Sequence, residues 1–137
     1  MSIRWDRDAI RAGASVALVF AVPFSIAARW AADAREDSTL AVWLSLGAVL
    51  GFFLGAGCAA WVQRTGTPLS HGLVTAIGTY VAAQAVFALI RALRGQDVRW
   101  FAIMFNLAVV LGAGLLGGVL GGKLRSKGVL PGARGVR

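Results

Sequence analysis

The chain has 137 residues, 58% of them hydrophobic and only 15% charged, with a formal net charge of +8 and a mean hydropathy of +0.72. Ordinary soluble domains are about 45–50% apolar and roughly 25% charged, so this composition excludes a water-soluble globular fold. A single cysteine, Cys58, excludes an internal disulfide, and one cysteine with one histidine cannot build a structural zinc site.

Residues 12–28, 40–62, 69–90 and 101–122 contain no Asp, Glu, Lys or Arg. About 20 apolar residues, rising 1.5 Å each, cross the roughly 30 Å hydrocarbon core of a bilayer. The pattern predicts an all-α integral membrane protein with four transmembrane helices, over about 9–30, 40–62, 69–91 and 100–122. A basic, flexible tail is expected at 123–137. Trp30, Trp43, Trp61 and Trp100 fall at the span ends and Trp5 just before the first. An indole, apolar in body with one N–H to satisfy, settles at that depth.

The first run is the shortest, and Arg11 and Arg29 at its ends can snorkel to the headgroups. Its basic approach (Arg4, Arg7, Arg11) and the trailing "AADA" are features of a secretory leader. The apolar run is longer than the 7–15 residues of a leader, so it is expected to stay as a span. Pro23 removes one backbone hydrogen bond and is expected to bend this helix. In the loop that follows, Asp33, Glu36 and Asp37 have the donors for a divalent cation. Arg29 and Arg35 lie beside them in sequence, and a solvated, self-neutralised loop is the expectation.

The second run reads "GAVLGFFLGAG" from residue 47 and the fourth "LGAGLLGGVLGG" from residue 111. Glycine at i and i+4 strips side chains from one face and lets helix backbones approach in lipid. Gly47, Gly51 and Gly55 form such a strip, continued by Cys58 and Ala59. Gly114, Gly118 and Gly122 form a second, with Ala113, Gly117 and Gly121 beside it. The second and fourth helices run in the same direction, so these faces are expected to pair in parallel within the chain or with another copy. The two runs lie 67 residues apart, but outside the glycines the halves do not align, and Pro23 has no counterpart in the third helix.

Polar residues inside spans are the first place to look for function. Gln84 on the third helix and Asn106 on the fourth each lie eleven residues from Gly95, which places them at one depth in an antiparallel hairpin. They are expected to bond to each other as interhelical glue or to line a polar path, with Tyr80 and Arg91 near the Gln84 face. His71, Thr75 and Thr79 form a second polar strip on the third helix, opposite Gln84. His71 follows "TGTPLS" at the membrane boundary, where contact with water is expected and proton handling is the alternative.

With four spans both termini lie on one side. That side holds nine basic residues (Arg4, Arg7, Arg11, Arg64, Lys123, Arg125, Lys127, Arg134, Arg137) against five on the other (Arg29, Arg35, Arg91, Arg94, Arg99). The positive-inside rule then predicts cytoplasmic termini in the cell membrane. The same basic flanks explain the net charge through topology and anionic lipid, without nucleic acid. All six acids lie outside the spans, and the chain has no phosphate-binding loop, nucleophile elbow or paired carboxylates. Neither enzymatic activity nor a cofactor is expected.

The glycine-rich last span leaving the membrane as "GGKLR" resembles small four-helix bacterial integral membrane proteins of unknown function. That resemblance implies a membrane fold and no activity. Small multidrug-resistance transporters carry a glutamate in the first span, absent from residues 12–28, and the glycine and phenylalanine–threonine signatures of fluoride channels are missing too. The sequence therefore points to an accessory or structural subunit that associates with itself or a larger membrane complex through glycine faces. The alternative is a minimal oligomeric channel or transporter with Gln84 and Asn106 on its path.

Overall fold

The computed structural model describes residues 4–129, which form four α-helices and, within that range, no strand. α1 spans Arg7–Ala34, α2 Thr39–Val62, α3 Pro68–Leu93 and α4 Trp100–Ser126. Each is long and apolar enough to cross a membrane. The shortest, α2 with 24 residues, measures about 36 Å at 1.5 Å per residue.

The helices outrun the expected spans because their ends are capped. Asp6 Oδ1 accepts from Ala9 N at 3.1 Å and Ser38 Oγ from Ala41 N at 3.2 Å, each satisfying an orphan donor of a first turn. Pro68 opens α3, where its missing N–H would have had no partner. α3 and α4 end alike: Gly95 (φ +67°) and Gly128 (φ +74°) adopt the left-handed conformation glycine tolerates. Gln96 N then donates to Arg91 O (2.9 Å) and Val129 N to Leu124 O (3.2 Å). Lys123 and Arg125, expected in the tail, are thus helical, with their charges favourably placed at a helix C-terminus. The tail beyond Val129 lies outside the described residues. α1 runs through Pro23 without interruption.

α1 and α2 form an antiparallel hairpin with the most extensive contact in the molecule, and α3 and α4 form a second. α2 also packs on α3 and α4, and α1 on α3, but α1 and α4 do not touch. The small residues settle the spacing. A methyl group added at Gly51 would lie 2.7 Å from Phe20 Cβ, and one at Gly47 2.6 Å from the Phe24 ring. One added at Gly55 would lie 2.7 Å from Ala17 Cβ, and one at Gly13 would meet the Gly55 carbonyl. At Gly117 it would strike the Phe53 carbonyl and at Gly121 that of Gly57. At Gly114 it would lie 2.9 Å from Ala76 Cβ, at Gly72 2.8 Å from Gly118 Cα, and at Gly122 3.1 Å from the Pro68 ring.

The strip of Gly47, Gly51 and Gly55 therefore lies against α1, not α4. α2 and α4 are parallel neighbours, but α2 meets α4 through Phe53, Ala56, Gly57 and Ala60. At about 100° per residue Gly57 points nearly opposite to Gly55, so one helix serves two neighbours. The two strips of α4 divide likewise: Gly117 and Gly121 face α2, whereas Gly114, Gly118 and Gly122 face α3.

Two alanine substitutions separate contact from composition. Gly117→Ala places its methyl into a backbone carbonyl and is expected to destabilise by about 1–3 kcal/mol. Gly78, with open space around its Cα, is expected to tolerate alanine or gain up to about 1 kcal/mol from helix propensity. Unfolding in mixed micelles, followed by circular dichroism, compares the two.

Candidate functional site

At the end that carries Asp6, Gln63 and Ser126, the two hairpins are held together by the close glycine approaches. Toward the opposite end, where the α1–α2 and α3–α4 turns lie, they leave a cavity of about 620 Å³ between all four helices. Ligand pockets occupy roughly 300–1,000 Å³. Its floor is rigid: Phe52 and Tyr80 pack edge to face with ring centroids 5.9 Å apart. The Tyr80 hydroxyl donates to Ile103 O at 2.8 Å, and Val110 is buried beside them.

Above the floor, Ser25, Ser45, Gln84 and Asn106 line the walls, and Arg29 and Glu36 reach the lining nearer the turns. Ser45 is already occupied, donating to Ala41 O at 2.8 Å. Gly122 against Pro68, Gly118 against Gly72 and Gly114 against Ala76 define the antiparallel register of α3 and α4. Nearer the turns the contact between these helices is the Tyr80 hydroxyl on Ile103 O. Among the described residues, however, no hydrogen bond joins the amides of Gln84 and Asn106, and both line the cavity instead. The Arg29 guanidinium lies over the Phe87 ring, 5.4 Å from its centroid. Arg91 donates from Nη1 to Asp97 O at 3.4 Å, while its Nε is buried without a partner.

His71, expected to meet water, is fully buried at the closed end. Its Nε2 accepts from Asp6 N at 2.9 Å and its Nδ1 lies 2.8 Å from Thr67 O. Those partners require a neutral ring with the proton on Nδ1. The Trp5 ring covers it, with centroids 5.4 Å apart. Burial follows from the Asp6 segment folding across the start of α3, a contact 65 residues apart in sequence. Thr75 and Thr79, the rest of that strip, are buried in the bundle, and Thr75 Oγ1 has no partner. Gln63, also fully buried, turns the α2–α3 loop: its Oε1 accepts from Thr65 N (2.8 Å) and Gly66 N (2.9 Å).

Asp6 ties three segments, since Oδ1 caps α1, Oδ2 accepts from Arg64 N at 3.0 Å, and its own N–H reaches His71. The Ala9 N–H holds this carboxyl below its ordinary range, the Arg64 N–H adding to the effect and desolvation opposing it. Asp33, Glu36 and Asp37 do not gather into a metal-holding group among the described residues. Arg29 entered the sequence reading as a snorkelling flank and Gln63 not at all. Only the fold brings Arg29 over Phe87. For Gln63 a faint signal existed, an amide just ahead of the loop "RTGTP".

No protein-family model, curated protein or solved structure matches the chain.

Asp6→Ala is expected to cost about 1–2 kcal/mol, the range for a lost N-cap, in the same micelle unfolding assay. Because the folded carboxyl is depressed, its stabilisation is present above the unfolded value of about 3.9 and is lost as pH falls through the folded one. The difference between wild type and D6A should therefore shrink below about pH 4.

Proposed function

We propose that this protein is a minimal, oligomeric channel or transporter of the cell membrane, with both termini cytoplasmic and the inter-hairpin cavity as its working site. One observation carries the reading: Gln84 and Asn106 lie inside the spans, unbonded to each other, on the wall of a ligand-sized cavity. Interhelical glue would use the amides on each other, a bond worth about 0.6 kcal/mol. An amide left facing open space in a membrane protein is kept for something that passes or binds. In this reading the close approaches at Gly51, Gly55, Gly114, Gly117, Gly118 and Gly121 are glycine-zipper faces that hold the closed end, leaving the other end free to open.

The accessory-subunit reading needs a docking surface. The strips it would use lie against the chain's own helices. A partner or second copy would instead meet lipid-facing residues such as Leu116, Val119 and Phe101.

Thiol accessibility separates the readings. In a Cys58→Ala background, Gln84→Cys and Asn106→Cys are expected to react with a water-soluble, membrane-impermeant reagent added from the turn side. The expected rate is at least about tenfold above that of lipid-facing Val86→Cys, since a hydrated cavity ionises a thiol and hydrocarbon does not. Ala83→Trp, which fills the cavity wall, should abolish the difference. Equal rates at the three positions, with loss of assembly in the Gln84→Leu/Asn106→Leu variant, would leave the amides as glue.

A further inference from the structure

The chemistry of the cavity specifies its ligand. Resting on the cavity as working site, we propose that it takes an anionic amphiphile, with the acidic head at Arg29 and the apolar tail directed to the Phe52–Tyr80 floor. Three observations converge.

The first is polarity along the membrane normal. Arg29 stands at the turn end of α1 and Ala21, on the cavity floor, lies eight residues deeper, or about 12 Å along the helix. Most of the intervening surface is apolar: Val22, Val49, Phe87, Phe105 and Val109. A charged rim at headgroup depth above an apolar shaft matches an amphiphile standing in one leaflet. Gln84 and Asn106, also on the lining, supply amide N–H donors for the ester carbonyls that a phospholipid carries behind its head.

The second is the sign of the charge. Arg91 and Arg99 lie near enough for their charges to act on Arg29, and Asp33 acts in the opposite sense. Among the described residues none of the three arginines forms an ion pair with a carboxylate. Glu36 on the rim leaves them in excess. Arg29, Arg91 and Arg99 outnumber Asp33 and Glu36 there, and guanidinium groups in excess match carboxylate and phosphate heads.

The third is preorganisation. Arg29 is held over Phe87 at 5.4 Å on the cavity lining, with its side chain still exposed to an incoming head group. Arg91, whose charge acts on Arg29, keeps a buried Nε with no partner, so its charge is not spent on an internal acceptor there.

Two sources share this chemistry, a phospholipid of the bilayer and a free fatty acid. The test uses the full-length protein in a mild non-ionic detergent and counts retained molecules by native mass spectrometry. Probes are oleate and phosphatidylglycerol, with oleyl alcohol and phosphatidylcholine as neutral or zwitterionic counterparts. Wild type should retain at least one acidic probe about tenfold better than its counterpart. Retention of oleate alone would identify a free acid as the source, and retention of phosphatidylglycerol a membrane lipid. Arg29→Gln should remove the preference, Arg29→Lys should restore part of it, and Arg35→Gln, outside the cavity, should leave it intact. Helix content by circular dichroism verifies that each variant is folded. Acidic and neutral probes held equally, and equally by Arg29→Gln, would overturn the anionic head while leaving the cavity as a binding site. No probe held by wild type, with Ala83→Trp indistinguishable from it, would overturn the cavity reading itself.

Discussion

Inside hydrocarbon a backbone N–H or C=O has no water to turn to, and the rest of this structure follows from that constraint. Every described stretch long enough to cross the bilayer is helical, because a helix satisfies its own backbone. The orphan groups then fall at the helix ends, where this chain answers them with Asp6, Ser38, and the turns at Gly95 and Gly128. Burial of apolar surface gives no drive for helices to pair in lipid, so closeness of approach has to supply it. Small residues at Gly13, Gly55, Gly72, Gly117 and Gly121 let backbone meet backbone.

The same device explains the unequal ends. Where Gly13 meets Thr75, Gly72 meets Ala56, and Gly117 and Gly121 meet Phe53 and Gly57, the two hairpins lie too close for anything to enter. Nearer the turns, Phe52, Tyr80, Phe87 and Phe105 line the cavity, with Phe52 and Tyr80 in contact at its floor. Polar groups follow the division. At the closed end Asp6, His71 and the Gln63 Oε1 are engaged in internal bonds, the Gln63 Nε2 keeping none, whereas Gln84 and Asn106 at the open end lack each other as partners.

The helices were legible because charge-free runs of the right length and flanking tryptophans report on the bilayer directly, a one-dimensional constraint. That Gln84 and Asn106 belong to one place was legible too, and both line the same cavity. Lateral choices were not. Nothing in the spacing of Gly47, Gly51 and Gly55 distinguishes α1 from α4 as the neighbour, since a bare strip fits any partner able to come near. His71 looked like a boundary residue because its burial is imposed by Trp5 and Asp6, far away in sequence. The placement of Arg29 over Phe87 likewise joins residues that no local pattern relates.

The knot at Asp6 has a consequence for biosynthesis. α1 can form its own cap as soon as Ala9 exists, and it can pair with α2 once Gly55 has been made. The bond from Arg64 to Asp6 must wait for the loop beyond α2, and that from Asp6 to His71 for the first turn of α3. The Asp6 segment is therefore fully locked in place only once the third helix has begun. Until then the first hairpin stands in the membrane with its leading end unfastened, and the arrival of α3 latches it shut.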